Sequence, residues 1–254
     1  MSEDRSTAAR RARIEALREA EKAKARRRKT GAIGAVVLAL AIIGGGIAWA
    51  VTGGGNSTST GAFCGNVAAG SPNGKKWSSP PAMTIDTAAS YTAVLNTSCG
   101  DITLKLDAKN APKTVNSFVF LAEQNYYNHT HCHRLTTSGI YVLQCGDPTG
   151  TGTGGPGYTI PDEYLNDPAI KGGTYPAGTV AMANSGPNTN GSQFFLVYQD
   201  SPLPASYTPF GTITGGLDIV QHIGKDGVGT GGNSPTDGPP KDSVVINSVP
   251  VTKS

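Results

Sequence analysis

The chain has 254 residues, of which 15% are charged and 7% aromatic, with 34 glycines and 17 prolines. This composition argues against a mainly helical fold and favours a loop-rich β domain. The net charge of +3 is unevenly distributed, because residues 1–30 contain eleven Lys and Arg against five Asp and Glu. The basic residues therefore belong to an N-terminal tail, and the rest of the chain is mildly acidic.

The basic tail, residues 1–30, precedes the apolar stretch 31–51, which has 21 residues and no charged side chain. About 20 apolar residues cross a bilayer core, so this stretch predicts a single transmembrane signal-anchor helix. The Lys and Arg bias predicts a cytoplasmic N-terminus and a domain outside the cytosol at the cell membrane. A cleaved signal peptide is the alternative, because Ala48-Trp49-Ala50 resembles a small-x-small cleavage site.

The tail has no aromatic residue, which favours a solvated segment near anionic lipids over an arm that binds nucleic acid. Residues 52–85 are rich in Gly, Ser, Thr, Asn and Pro and predict a flexible linker. A folded domain is then predicted at residues 86–254. The exported part contains four cysteines, which can persist there as disulfides and allow three pairings.

Short strands separated by glycine-rich turns dominate the predicted domain. Apolar and β-branched patterns predict strands at 91–95, 102–106, 132–135, 141–144, 179–183, 193–198 and 243–251. Two helices are predicted, one at 114–124 after Pro112 and a shorter one at 217–223. An antiparallel barrel or sandwich is the expected architecture.

Two segments carry most of the functional information. The first contains His133-Arg134-Leu135 and then IYVLQCGD from Ile140 to Asp147, and the second is MANSGPNTNGSQFF from Met182 to Phe195. With Pro209-Phe210-Gly211, these segments resemble the cyclophilin family of peptidyl-prolyl isomerases, from about residue 90 to residue 251. The resemblance implies a mostly β fold, an eight-stranded antiparallel closed β-barrel capped by two α-helices.

The resemblance implies catalysis of rotation about X-Pro bonds, and the residue types suit that reaction. Rotation requires an apolar pocket for proline and a donor that favours the twisted amide. Arg134, Gln144 and Phe195 match the family's catalytic positions. The positions that bind substrate are matched by Tyr141, Val142, Ala183, Asn184, Ser185, Gln193, Leu203 and Tyr207.

The predicted function is therefore a peptidyl-prolyl cis-trans isomerase that assists the folding of exported or cell-envelope proteins. We expect a monomer that acts on proline-containing polypeptides without a cofactor or metal. The alternative is a non-catalytic module that binds or scaffolds proline-containing peptides at the membrane surface. The sequence leaves open the client proteins and the X-Pro sequence preference.

Several positions depart from the family pattern. Two extra residues lie within 136–139, and Tyr141 and Val142 replace the usual Phe and Met. Tyr207 stands where eukaryotic members carry His, as in bacterial-type members, and Pro202 stands where they carry Trp. The missing indole predicts weak binding of the cyclic peptide cyclosporin.

Two patterns suggest other chemistry. The alternating His129, His131 and His133 suggest a metal site, but the segment leads into the His-Arg motif, which favours a strand entering the active site. Residues 150–155 fit GxGxxG, yet Pro156-Gly157 follows instead of a helix, so no phosphate site is predicted. The family pairs the strands that carry Cys132 and Cys145, which implies a disulfide between them and leaves Cys64 with Cys99.

Overall fold

The computed structural model describes residues 63–170 and 172–254. The predicted basic tail, the predicted transmembrane helix and the first part of the predicted linker lie outside the described residues. Within the described ranges, no helix has both the length and the apolar character needed to cross a membrane.

Eleven strands of the described chain form one antiparallel sheet. They are β1 (Tyr91–Thr97), β2 (Gly100–Leu106), β3 (Thr130–His131), β4 (Arg134–Thr136), β5 (Val142–Cys145), β6 (Thr179–Met182), β7 (Phe194–Val197), β8 (Pro209–Gly215), β9 (Asp237–Gly238), β10 (Val245–Ser248) and β11 (Val251–Lys253). The predicted strand 132–135 overlaps β4 alone and misses β3, and the predicted strand 243–251 is divided between β10 and β11. Strands β8 and β9 were not predicted, because their glycines and prolines resemble turn residues.

The neighbouring strands follow the order β3-β10-β1-β2-β8-β6-β7-β5-β4-β9, with β11 also paired to β1. The terminal strands β3 and β9 do not pair in this path, so the predicted eight-stranded closed barrel is corrected to a curled sheet that is not closed by hydrogen bonds. The sheet stays open because residues on the two sides of His133 pair at opposite ends of this path. The Cys132 N–H donates to the Val244 carbonyl, next to β10, at 2.9 Å, whereas Arg134 pairs with Gln144 of β5. Cys132-His133, which we call the seam, connects β3 at one edge of the sheet to β4, which lies beside the strand at the other edge, β9.

The two predicted helices are confirmed as α1 (Pro112–Glu123) and α2 (Leu217–Asp226). Pro112 occupies the first turn of α1, where a missing N–H is tolerated. The Glu163 carboxylate accepts hydrogen bonds from the N–H groups of Lys113 at 3.1 Å and Thr114 at 2.8 Å. A negative charge at this helix end is favourable, because it satisfies free N–H groups and opposes the helix dipole.

The main core lies between α1 and the curled sheet. The Phe118 ring of α1 lies 5.6 Å from Phe194 of β7, 5.4 Å from Phe210 of β8 and 5.0 Å from Tyr127. All four side chains are buried. Aromatic side chains bury large apolar areas, so this cluster holds β7 and its neighbours in a fixed position beneath α1.

Residues 63–85, which we call the N-terminal strap, contact the domain along their length although the sequence predicts a flexible linker there. A disulfide joins Cys64 to Cys99 in the turn between β1 and β2. Asn73 donates to the carbonyls of Gln124 and Asn125 at 3.0 and 2.9 Å. Further along, the N–H of Thr84 donates to Oδ1 of Asn116 on α1 at 2.9 Å. The predicted boundary at residue 86 therefore does not mark the start of the folded unit.

Candidate active site

Three neighbouring strands bring the predicted catalytic residues together. In the sheet register Arg134 of β4 lies opposite Gln144 of β5, Gln144 lies opposite Phe195 of β7, and Phe195 lies opposite Ala181 of β6. Directly opposed residues of an antiparallel sheet point to the same face. Residues that are up to 61 positions apart in the chain therefore form one row on one face of the sheet.

Arg134, Gln144 and Gln193 are linked by side-chain hydrogen bonds across this face, and we call these three residues the polar row. Arg134 Nη1 donates to Oε1 of Gln144 at 3.3 Å, and Gln144 Nε2 donates to Oε1 of Gln193 at 2.8 Å. Gln193 Nε2 then donates to the carbonyl of Gly154 at 2.9 Å. The side-chain amides of Gln144 and Gln193 each use one of their two N–H groups in these hydrogen bonds. Each amide therefore retains a second N–H that can reach a bound peptide.

The Arg134 guanidinium is held by Asp237, a residue that the sequence did not single out. Arg134 Nε donates to Oδ1 of Asp237 at 2.7 Å, and Nη2 donates to Oδ2 at 2.9 Å. These hydrogen bonds raise the pKa of Arg134 above its ordinary value and hold the pKa of the Asp237 carboxyl below its own. The two side chains are 38% and 31% exposed, so the ion pair is open to solvent on one side.

Paired hydrogen bonds of this kind fix the direction of the guanidinium as well as its charge. Asp237 lies in β9, where it is opposite Thr136 of β4. Its surroundings in the sequence, Thr-Asp-Gly-Pro-Pro, are typical of a turn and give no sign of this role. Only the pairing of β9 with β4 brings it next to Arg134.

Beside this polar row lies a small apolar cluster, separate from the main core. Its buried members are Val142, Ile170, Tyr175, Ala181, Phe195 and Val197, and Ile140, Ala183, Leu203, Ala205 and Tyr207 pack against them. It therefore unites Phe195, one of the predicted catalytic residues, with four of the predicted substrate-binding residues: Val142, Ala183, Leu203 and Tyr207. The Tyr175 hydroxyl donates to the Tyr207 carbonyl at 2.7 Å, which holds the segment carrying Tyr207 against the cluster.

Tyr141 is not part of this cluster. Its ring packs against Tyr198 at 6.0 Å and borders the main core. Successive residues of an extended chain point to opposite faces, so Ile140 and Val142 face the apolar cluster whereas Tyr141 faces away. Tyr141 and Val142, both predicted to bind substrate, therefore lie on opposite faces of the sheet.

Next to the apolar cluster is a cavity of about 690 Å³. Ala183, Asn184, Ser185, Gln144 and Gln193 are among its lining residues. The Asn184 side chain is already engaged, since Nδ2 donates to the Ser206 carbonyl at 2.8 Å and Oδ1 accepts from the Gly186 N–H at 3.2 Å.

The glycine-rich loop 150–155 folds around a carboxylate of the protein itself. The buried Asp147 accepts hydrogen bonds from the N–H groups of Thr149 and Gly152, both at 2.7 Å, and of Gly154 at 3.1 Å. Burial acts to raise the pKa of Asp147, but these hydrogen bonds hold it below its ordinary value. The N–H groups that would bind a phosphate are thus directed to Asp147, and the loop supplies the Gly154 carbonyl to Gln193.

The histidine segment is divided by the seam. His131 is exposed at the end of β3, with Nδ1 at 3.3 Å from the Ser243 hydroxyl. His133 lies in the seam itself, and neither of its buried ring nitrogens has a hydrogen-bond partner among the described residues. Burial lowers the pKa of His133 below its ordinary value, although the charge of Asp147 acts in the opposite direction. Within the described residues, no group of three or more His, Cys, Asp or Glu is arranged to hold a metal ion.

The disulfides have the pairing that the family resemblance implies. Cys132 at the seam is joined to Cys145 at the end of β5, and Cys64 of the strap is joined to Cys99. Cys132 lies two residues before Arg134, and Cys145 directly follows Gln144. The first disulfide therefore holds together the two short strands that carry Arg134 and Gln144.

Comparison with known proteins gives the same assignment. The model of the family "Cyclophilin type peptidyl-prolyl cis-trans isomerase/CLD" matches residues 92–251. The "Probable peptidyl-prolyl cis-trans isomerase B" of Mycobacterium leprae is 53% identical over 170 residues, which is 63% of this chain and 57% of that protein. The protein of the same name from Mycobacterium tuberculosis H37Rv is 53% identical over 166 residues, 60% of this chain and 52% of that protein. The chain thus spans little more than half the length of these relatives.

Shorter relatives and solved structures agree. Peptidyl-prolyl cis-trans isomerase-like 1 of Emericella nidulans is 43% identical over 133 residues, 51% of this chain and 78% of that protein. A crystal structure of a Cryptosporidium parvum cyclophilin type peptidyl-prolyl cis-trans isomerase has a TM-score of 0.53 and 28% identity, and covers 65% of this chain and 99% of its own. The chain therefore belongs to the cyclophilin-type peptidyl-prolyl cis-trans isomerase family.

Proposed function

We propose that this chain is a peptidyl-prolyl cis-trans isomerase that acts on X-Pro bonds in polypeptides. The observation that carries the proposal is the Arg134 guanidinium, which Asp237 holds at the edge of the apolar cluster. Three of its five N–H donors are used by Asp237 and Gln144, which leaves two for a substrate. Relatives that are named isomerases support the same activity.

The mechanism follows from the origin of the barrier. Resonance between the prolyl nitrogen and the carbonyl sets a barrier of about 18–20 kcal/mol, and the reaction breaks no covalent bond. At the twisted geometry the lone pair is localised on the prolyl nitrogen, which becomes a better hydrogen-bond acceptor. A guanidinium N–H directed at that nitrogen stabilises the twisted state more than the planar one. Because Asp237 holds Arg134 in place beforehand, little reorganisation is needed during the rotation.

The remaining site residues hold the substrate. The apolar cluster of Val142, Phe195, Leu203 and their neighbours removes the proline ring from water. The spare N–H groups of Gln144 and Gln193 bind carbonyls of the flanking peptide. Since the Asn184 side chain is occupied, we expect its main chain rather than its amide to contact the substrate. A related Cryptosporidium structure was determined in the presence of the dipeptide Ala-Pro, which supports a proline-containing ligand at this site.

A proline-peptide isomerisation assay on residues 63–254 tests this function. Arg134→Ala should lower kcat/KM by about 100- to 1,000-fold, the loss typical of removing one donor that stabilises a transition state. Lys105→Ala, which removes an exposed cation from β2, should retain the wild-type rate. If the wild-type protein and Arg134→Ala both leave the uncatalysed rate unchanged but still bind the peptide, the chain is instead the non-catalytic binding module.

The proposal extends to the place where the enzyme works. The 21-residue uncharged stretch at 31–51 behind a basic tail supports a membrane anchor with an extracytoplasmic domain that acts on exported or cell-envelope proteins. The two disulfides support an oxidising location. In fractionated cells, a C-terminally tagged chain should remain in the membrane after a carbonate wash, with its tag accessible to external protease. A shortened protein in the soluble extracytoplasmic fraction would indicate cleavage after Ala50 instead.

Two finer properties are the binding of cyclosporin at the edge of the site and the oligomeric state. Exposed Pro202 stands where eukaryotic members carry Trp, so the indole that would contact cyclosporin is absent from this position. We expect weak cyclosporin binding, and the bacterial-type Tyr207 agrees with this. We also expect a monomer. Calorimetric titration of residues 63–254 with cyclosporin checks the first prediction, which submicromolar binding would contradict. Sedimentation of the same protein checks the second, which a dimer would contradict.

A further inference from the structure

The N-terminal strap brings a residue from outside the matched family region to the catalytic face. The N–H of Trp77 donates to the Pro156 carbonyl at 2.8 Å, and its ring packs against Phe120 and Tyr126 at 5.1 and 5.8 Å. A side chain added at Gly157 would approach the Trp77 carbonyl to 2.7 Å and Cβ of Lys76 to 3.3 Å. The backbone of Lys76 and Trp77 is therefore closely packed against the loop at Pro156-Gly157, which borders the cavity of the candidate site.

Lys76 lines the cavity of about 690 Å³ beside the polar row. Among the described residues that line it, Lys76 alone carries a charge. The other lining residues are all uncharged: most are small or hydroxyl-bearing, and the rest are Pro156, Asn184, Gln144 and Gln193. A peptide bound through Gln144 and Gln193 would thus place one of its flanking residues in a cavity whose one charged lining residue, among those described, is Lys76.

Of the described acidic side chains, none forms an ion pair with Lys76. The Asp147 carboxylate is buried and accepts its hydrogen bonds from the loop that follows it. The Asp162 carboxylate accepts from the N–H of Asn188 at 2.8 Å and from the Asn190 amide at 2.8 Å. In the part of the chain that the structure describes, Lys76 takes part in no ion pair. Its charge is therefore available to a ligand.

We propose that Lys76 is a specificity-determining residue, which makes the enzyme prefer substrates with an Asp or Glu side chain close to the isomerised proline. The proposal rests on the proposed isomerase function and assigns part of its substrate selection to the strap. Exposed ion pairs contribute modestly, which corresponds to about a 2- to 5-fold preference for Glu over Gln at the position that enters the cavity. The preference should weaken with added salt, because the Lys76 ammonium is exposed.

The test is a set of proline peptides that carry Glu, Gln or Lys at positions two and three residues before or after the proline. For residues 63–254, kcat/KM should be highest for Glu at one of these positions. Lys76→Glu should reverse the order there, so that the Lys peptide becomes the best substrate, while the Gln peptide changes little. The matched control is Lys75→Glu, which makes the same charge change at the neighbouring residue, whose ammonium lies near Gln124 instead.

The outcomes separate this proposal from the isomerase function. Equal Glu to Gln ratios for the wild-type protein and Lys76→Glu at all four positions would overturn the role of Lys76 while leaving catalysis intact. A shift of the same size in Lys75→Glu would show a general charge effect and would also overturn it. If no peptide is isomerised, the proposed isomerase function fails. The Glu to Gln ratios are then taken from the dissociation constants of the peptides, so the role of Lys76 is tested without turnover.

Discussion

At the scale of single residues, the site depends on how Arg134 is oriented. A free arginine side chain has many rotamers, and ordering it lowers its conformational entropy. Asp237 accepts hydrogen bonds from two guanidinium nitrogens, Nε and Nη2, and Gln144 accepts one from the third, Nη1. We therefore expect Asp237 to act as a positioning residue, because it sets the direction of the Arg134 donors.

Asp237→Asn should lower kcat/KM by about 10- to 100-fold, the range expected when a hydrogen bond to a charged group is lost. Most of the loss should appear in kcat, because the apolar cluster that binds proline is unchanged. Asp237→Glu should restore part of the activity, which a purely structural role would not explain. The control is Asp101→Asn, at an exposed carboxylate of β2. A wild-type kcat in Asp237→Asn would contradict the positioning role.

His133 makes stability depend on pH. Burial holds its pKa in the folded state below its ordinary value near 6.5, which the unfolded chain retains. As the pH falls through 6.5, the unfolded state binds a proton before the folded state does, so the free energy of unfolding decreases. This contribution is fully present above pH 6.5 and is lost as the pH falls towards the lowered pKa.

Urea unfolding at pH 7.5 and pH 5.5 measures this effect. His133→Gln should show a smaller loss of stability between the two pH values than the wild-type protein. The control is His131→Gln, at an exposed histidine only two residues away, and this variant should retain the wild-type loss. An identical pH dependence in all three proteins would show that His133 does not titrate in this way.

At the scale of elements, the polar row depends on two very short strands. Strand β4 has three residues and β5 has four, so few backbone hydrogen bonds hold them in register. The Cys132–Cys145 disulfide supplies a covalent link at the seam, close to Arg134 and Gln144. The Cys64–Cys99 disulfide instead holds the strap to the turn between β1 and β2.

Replacing Cys132 and Cys145 together by Ser should lower the free energy of unfolding by about 3 kcal/mol, the value expected for a loop closed across 13 residues. The same variant should lose isomerase activity below its unfolding transition, since Arg134 and Gln144 are less well held. Replacing Cys64 and Cys99 should lower stability but leave kcat/KM unchanged for a peptide without charged residues. Full activity in the first variant would show that the strands keep their register without the disulfide.

At the scale of the whole molecule, the sheet and the strap form one folded unit. The sheet order places β4 and β5 near one end of the path, and the seam connects them to β3 at the other end. The strap precedes the region matched by the family, residues 92–251, yet it packs on α1 and borders the cavity. Experiments on the domain should therefore begin at residue 63, not at the predicted boundary of residue 86.

Much of this arrangement could be predicted from the sequence. The sequence motifs identified Arg134, Gln144 and Phe195, which lie opposite one another in the sheet. The apolar patterns located both helices and most strands. Local patterns were insufficient where glycine and proline lie within a strand, as in β8, because these residues usually mark turns. They also failed to identify Asp237, whose role depends on pairing between strands about 100 residues apart.

Residue types in a fixed order along the chain were enough to predict the family, and the family resemblance implied the arginine expected to act in catalysis and the expected cysteine pairing. The tertiary structure decided which side chains share a face, so that Ile140 and not Tyr141 joins the apolar cluster. It also decided that the sheet remains open at the seam, that Asp237 holds Arg134, and that the strap carries Lys76 to the cavity. These features depend on contacts between distant segments, which chain folding creates and local sequence does not encode.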